Sequence, residues 1–284
     1  MPRLWSLTTT GCLLLASTAC LLESCETARK EAISSVAIDR LAPKLTPTNA
    51  HETARRATST TTSPTYPVRL LMPGTFHENE VDSADLTKRW AGLFVTKHGY
   101  FVRQATPAFS RVDDPIGDEP EGSKTGWAVK VPGQDSCLFL ITQEAKLTNR
   151  AVPHIALKPY TELWPGDTLR FIMQDQAYLL YATGKKRPHP EQGITEPIVT
   201  DYALHLSSVS KGRVLTQLLA SVRSFEETMC QILFVGDIDG DGRPDLLLDT
   251  TYHYNLTQPT LYLSKPAATG QLLKPVAQSA YVGC

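Results

Sequence analysis

Between residues 231 and 249 the chain runs apolar, acidic, apolar: Ile232-Leu233-Phe234-Val235, then Gly236-Asp237-Ile238-Asp239-Gly240-Asp241-Gly242-Arg243-Pro244-Asp245, then Leu246-Leu247-Leu248. Four carboxylates at relative positions one, three, five and nine must therefore share one short connection between two apolar segments. Like charges held about 4 Å apart cost roughly 4 kcal/mol per pair near a protein surface. A cation removes that repulsion, and oxygen ligands at this spacing suit calcium. Gly242 at position six supplies the sharp turn, and the main-chain carbonyl of Arg243 at position seven is the expected backbone ligand. The expected ligand set is Asp237, Asp239, Asp241, Arg243 and Asp245, with Ca2+ as the cofactor. An acidic turn solvated by water, with no ion, is the alternative.

An EF-hand needs a bidentate Glu at position twelve and a helix on each side. Position twelve is Leu248, and both flanks are short, branched and apolar, which is how buried strands read. The D-x-D-x-D-G-x-x-D pattern between strands resembles the FG-GAP, or VCBS-type, calcium loop of integrin-like repeats, over about 233–264. The tail that follows, Asp249-Thr250-Thr251-Tyr252-His253-Tyr254-Asn255, Leu261-Tyr262-Leu263-Ser264 and Val282-Gly283-Cys284, is similar to that of bacterial exported proteins of unassigned function ending in one such loop. The resemblance implies a fold element and a metal, not an activity. The loop occurs once; Val112-Asp113-Asp114-Pro115 and Gly117-Asp118-Glu119-Pro120 lack its spacing, so a complete integrin-type propeller is not expected.

At the N-terminus, Arg3 precedes an uncharged stretch from Leu4 to Leu22 around Cys12-Leu13-Leu14-Leu15-Ala16, which reads as an export signal over 1–19. Ser17-Thr18-Ala19 before Cys20 meets the small-residue rule, so Cys20 is the expected lipidated first mature residue. Ser17 stands where a lipobox usually carries leucine; Leu22-Glu23-Ser24-Cys25 has the leucine but a charge inside the site. Cys25 and ordinary signal-peptidase cleavage therefore stay open, and a transmembrane helix is the weaker reading. Residues 20–67, rich in Thr, Ser, Ala and Pro, cannot bury enough apolar surface to fold alone and read as a disordered tether, with at most a turn or two of helix over 28–41.

Residues 68–284 are long enough for a real core. Their strand signals are many and short: Gly92–Val95, Tyr100–Val102, Trp127–Val131, Cys137–Thr142. Leu169, Phe171 and Met173 alternate with polar neighbours up to a tight turn at Gln174-Asp175-Gln176, and Ala177–Ala182 returns as a hairpin. Tyr202, Leu204 and Leu206 continue the period of two, whereas Val214–Ser224 has helical spacing. The expected fold is mainly β: an antiparallel β-sandwich-like domain with a single integrin-type calcium loop between two C-terminal strands, in a module at about 225–284.

With 28 Lys and Arg against 29 Asp and Glu, the chain carries no basic stripe, which argues against a nucleic-acid partner. Lys185-Lys186-Arg187, beside two prolines, reads as a solvated loop. A Gly-rich phosphate loop, H-E-x-x-H, C-x-x-C and G-x-S-x-G are all absent. His98, His154, His205 and His253 are the candidate bases, each more simply structural; His253 lies nearest the acidic loop. No catalytic set is expected. Setting aside Cys12 and Cys20 leaves Cys25, Cys137, Cys230 and Cys284. A Cys230–Cys284 bridge would enclose the calcium module and stabilise it by roughly 4 kcal/mol in the chain-entropy model; the alternative is that Cys230 or Cys137 is a buried free thiol. The chain thus reads as a calcium-stabilised, envelope-anchored lipoprotein in the bacterial periplasm or on the outer surface. It would be attached to the membrane through its lipid and act as a binding module for an unknown protein or glycan ligand, or as a structural one. A calcium-dependent hydrolase of envelope polymer or glycan is the alternative.

Overall fold

Leu70 and Leu71, adjacent in sequence, are both fully buried, yet they belong to two different cores. That can happen only if the sheet they sit in is covered on both faces. The computed structural model describes Tyr66 and residues 68–283, apart from 115, 119–121, 158–160, 192, 194, 211 and 212. The expected signal segment, Cys20, Cys25, nearly all of the tether and Cys284 lie outside the described residues.

Eighteen strands follow one another, with no α-helix among the described residues. The first eight are β1 (Leu70–Leu71), β2 (Gly74–Phe76), β3 (Trp90–Thr96), β4 (Gly99–Ala105), β5 (Ala108–Val112), β6 (Gly126–Lys130), β7 (Ser136–Thr142) and β8 (Arg150–Val152). Then come β9 (Thr168–Met173), β10 (Gln176–Arg187), β11 (Ile198–Ser210) and β12 (Arg213–Ser224). The C-terminal part contains β13 (Gln231–Gly236), β14 (Asp245–Asp249), β15 (Leu256–Thr257), β16 (Pro259–Leu263), β17 (Lys274–Gln278) and β18 (Tyr281–Val282). They form antiparallel sheets in the orders β2-β6-β5, β1-β7-β3-β4-β8, β13-β14-β16-β17 and β12-β11-β10-β9, with β15 and β18 as a separate pair.

The sheets stack in the order just given, because each core takes alternate residues from two of them. Trp127 and Val129 of β6 meet Leu71, Trp90 and Leu140. Leu70, Leu93, Phe139 and Ile141 meet Phe234, Leu247 and Leu261. Leu246, Leu248 and Tyr262 meet Leu169, Phe171, Leu180 and Leu204. The antiparallel, sandwich-like expectation holds, with sheets stacked beyond a single pair. β14 is buried at all five positions, which explains why its sequence is a continuous apolar run instead of an alternation.

The β9–β10 hairpin forms where its alternation places it. Met173 pairs with Gln176 across a two-residue turn, and Gln174 and Asp175 take φ of 45° and 62°, the twist that suits a tight hairpin. Residues 214–224 differ from expectation: they are β12, not a helix. At a bulge, Leu218 faces His205 and Ala220 faces Leu204, leaving Leu219 unmatched. The extra residue shifts the phase of the alternation, so the half-buried Leu215 and Leu219 and the buried Val222 fall at i, i+4 and i+7, a helical period generated by a bulged strand.

Candidate metal centre

Because β13 ends at Gly236 and β14 begins at Asp245, residues 237–244 are a hairpin connection whose ends are clamped in the ladder. The Asp237 N–H donates to the Pro153 carbonyl at 2.9 Å, fixing the loop's entry against the segment after β8. Its Oδ1 accepts from the N–H groups of Gly240 (2.7 Å) and Asp241 (3.0 Å), wrapping the backbone around the carboxylate. Gly240 and Gly242 take φ of 81° and 83°, and a Cβ on Gly242 would run into the carboxamide of Gln174 at the β9–β10 turn. At the exit, Asp245 Oδ2 accepts from the N–H groups of Ile238 (2.6 Å) and Asp239 (2.9 Å), and Oδ1 from Ser264 N–H (2.7 Å).

Carboxylate oxygens of Asp237, Asp239 and Asp245 all lie within 4.8 Å of one another. Asp237 and Asp245 are 2% and 0% exposed. Asp239 Oδ2 accepts from Lys265 N–H at 2.9 Å, but its Oδ1 is buried with no hydrogen-bond partner among the described residues. Burial, then the charges of Asp241 and Asp237, raise the pKa of Asp239. Burial, then Asp239, push Asp245 well above the usual carboxylate range. Each shift records the cost of ionising one more oxygen in a site already short of positive charge.

The fourth carboxylate stands apart from the other three. Asp241 Oδ1 accepts from Arg243 N–H (2.9 Å) and the Ser264 hydroxyl (2.8 Å), and Oδ2 accepts from Arg243 Nε (2.8 Å). The Arg243 guanidinium also reaches the Ser264 carbonyl at 3.0 Å. A partner that local sequence did not indicate is Arg150 of β8: its Nη1 donates to the Asp237 carbonyl (2.7 Å) and its Nη2 to Asp237 Oδ2 (3.1 Å). It lies 87 residues away, and only the stacking of the sheets brings it there. Four carboxylates against the guanidiniums of Arg150 and Arg243 leave two uncompensated negative charges, the charge of one divalent cation. The donor set, all hard oxygen with one buried oxygen unused, fits calcium. The loop thus touches three of the stacked sheets: its own, that of Arg150 and that of Gln174.

The histidines do not assemble with it. His154 packs edge-on to Tyr100 at 4.7 Å, His205 stacks on Tyr181 at 5.0 Å with its pKa lowered by burial, and His98 is exposed. His253 Nε2 is 3.3 Å from Glu226 and its ring stacks on Tyr254. A pairing absent from the sequence reading is His77 Nδ1 with the buried Asp114 at 2.7 Å, within the acidic turn that local spacing set aside. Cys137 and Cys230 are free thiols, each pushed up to about 12 by burial, and the expected partner Cys284 is not among the described residues. No family model, curated protein or solved structure matches the chain.

Proposed function

We propose that this is a calcium-stabilised binding or structural module of the FG-GAP/VCBS loop type, exported and held at a bacterial membrane by lipid on Cys20. The observation that carries the metal is the buried, partnerless Oδ1 of Asp239, on a carboxylate clustered with those of Asp237 and Asp245. A carboxylate oxygen out of water without a donor is costly, and a cation is the partner that removes the cost. Asp237, Asp239 and Asp245 would hold the ion, with Asp241 and the Arg243 carbonyl completing the shell after Asp241 gives up part of its contact with Arg243. The ion would supply charge compensation and tie the loop to its neighbours; hydrolysis of a glycan would need a paired carboxylate in a cleft, and the groove lined by Tyr252, next to His253, has no carboxylate among its described lining residues.

Thermal unfolding with calcium and with chelator tests the reading. Calcium at a hundredfold its dissociation constant adds about 2.7 kcal/mol, a rise of roughly 5–10 °C for a domain of this size. Asp239→Ala removes most of that shift, and magnesium substitutes poorly. A wild-type melting curve unmoved by calcium and chelator, with no metal by elemental analysis, would leave the loop as an acidic turn.

A further inference from the structure

Beside the outer edge of β12, the Gln217 side chain holds one point and Glu226, just past the strand, holds another, with an open stretch between them. At one end the Gln217 side chain takes the place of a strand: its Oε1 accepts from Leu272 and Leu273 N–H and its Nε2 donates to the Leu273 carbonyl. At the other end Glu226 exchanges main-chain hydrogen bonds with Tyr252 and Tyr254. Between them lies a groove of about 430 Å³, walled by β12 on one side and by β16, β17 and the 250–258 segment on the other. The Tyr262 hydroxyl crosses it to the Leu219 carbonyl at 2.8 Å, tying the two walls together. Closed by Gln217 and the Tyr262–Leu219 bridge at one end and by Glu226 at the other, the slot does not let a strand run through; a short ligand entering from the side can.

The groove's polar groups are uncommitted. The Arg223 guanidinium, the Ser221 hydroxyl and the Gln258 carboxamide make no hydrogen bond or ion pair among the described residues, and Gln278 uses only its Nε2, on Thr260. Tyr252 lines the same groove and is 51% exposed. The described lining holds one cation and no carboxylate. A planar guanidinium selects a carboxylate, amide and hydroxyl groups match a ring of hydroxyls, and an open tyrosine face suits the C–H face of a sugar. We propose that this groove binds the terminal units of a saccharide bearing a carboxylate, a uronate-type glycan end. The inference rests on the reading of the chain as a binding module, but not on the ion.

Isothermal titration of the full chain in calcium with trigalacturonate, cellotriose and triglutamate tests it. Trigalacturonate binds saturably, cellotriose at least about tenfold more weakly, and triglutamate more weakly than trigalacturonate. Arg223→Gln weakens trigalacturonate about tenfold and closes the gap to cellotriose, while Tyr252→Ala weakens both sugars. Both side chains are exposed, so unchanged melting midpoints verify that the variants fold. No saturable heat with trigalacturonate, or equal affinity in wild type and Arg223→Gln, would overturn the proposal; tighter binding of triglutamate would reassign the groove to an acidic peptide. Calcium stabilisation read on the same samples separates the two ideas, since its loss with saccharide binding intact counts against the metal loop alone.

Discussion

Asp239 and Asp245 carry the chemistry of the loop at the scale of single residues. Burial raises both pKa values above those of the unfolded chain. A proton held more tightly in the folded state stabilises the metal-free protein fully below the unfolded pKa near 4, and that contribution is lost as pH rises through the raised values. The proposed calcium would compete for the same oxygens and would require them ionised. Two opposite slopes follow at this loop: the contribution of Asp239 and Asp245 to metal-free stability falls across the acidic range as pH rises, while the increment due to calcium grows. Melting midpoints with and without calcium from pH 4 to 7 measure the gap, and a gap that narrows with rising pH would contradict the assignment. Asp237 differs in having Arg150 as a permanent counter-charge, so that carboxylate is compensated without the ion.

Among the elements, β14 makes the sharpest claim. In a two-layer sandwich one side of a strand faces solvent, and truncating a residue there costs little. Here Leu247 points into the core shared with β1, β3 and β7, Leu248 into the core shared with β9, β10 and β11, and both are 0% exposed. Leu247→Ala and Leu248→Ala are each expected to cost about 2–5 kcal/mol by denaturant unfolding. A cost under about 1 kcal/mol for either would mean that one face of β14 is open. β12 shows the opposite case, where the sequence misleads: a single inserted residue at Leu219 turned a period of two into the spacing of a helix. The β9–β10 hairpin was legible because nothing interrupts its alternation before the turn.

At the scale of the whole molecule the proposed anchor sets where the domain works, and labelling with a palmitate analogue tests it: Cys20→Ala is expected to abolish both label and membrane fractionation. Label that survives there and vanishes in Cys25→Ala would move the anchor five residues on. The stacked sheets explain how the rest of the molecule divides between what its sequence states and what its packing adds. Local chemistry determined the antiparallel β class and the acidic loop with its glycines, because strand alternation and turn conformation depend on neighbours a few residues apart. Tertiary structure decided which charge balances Asp237, since Arg150 reaches it only when two sheets distant in sequence pack together, whereas Ser264 arrives through the pairing of β16 with β14 in the loop's own sheet. It also decided the groove, walled by β12 on one side and by β16, β17 and the 250–258 segment on the other. A surface built from two sheet edges has no period and no motif to read, because its residues meet through the entropy-costly closure of long loops and not through any local preference.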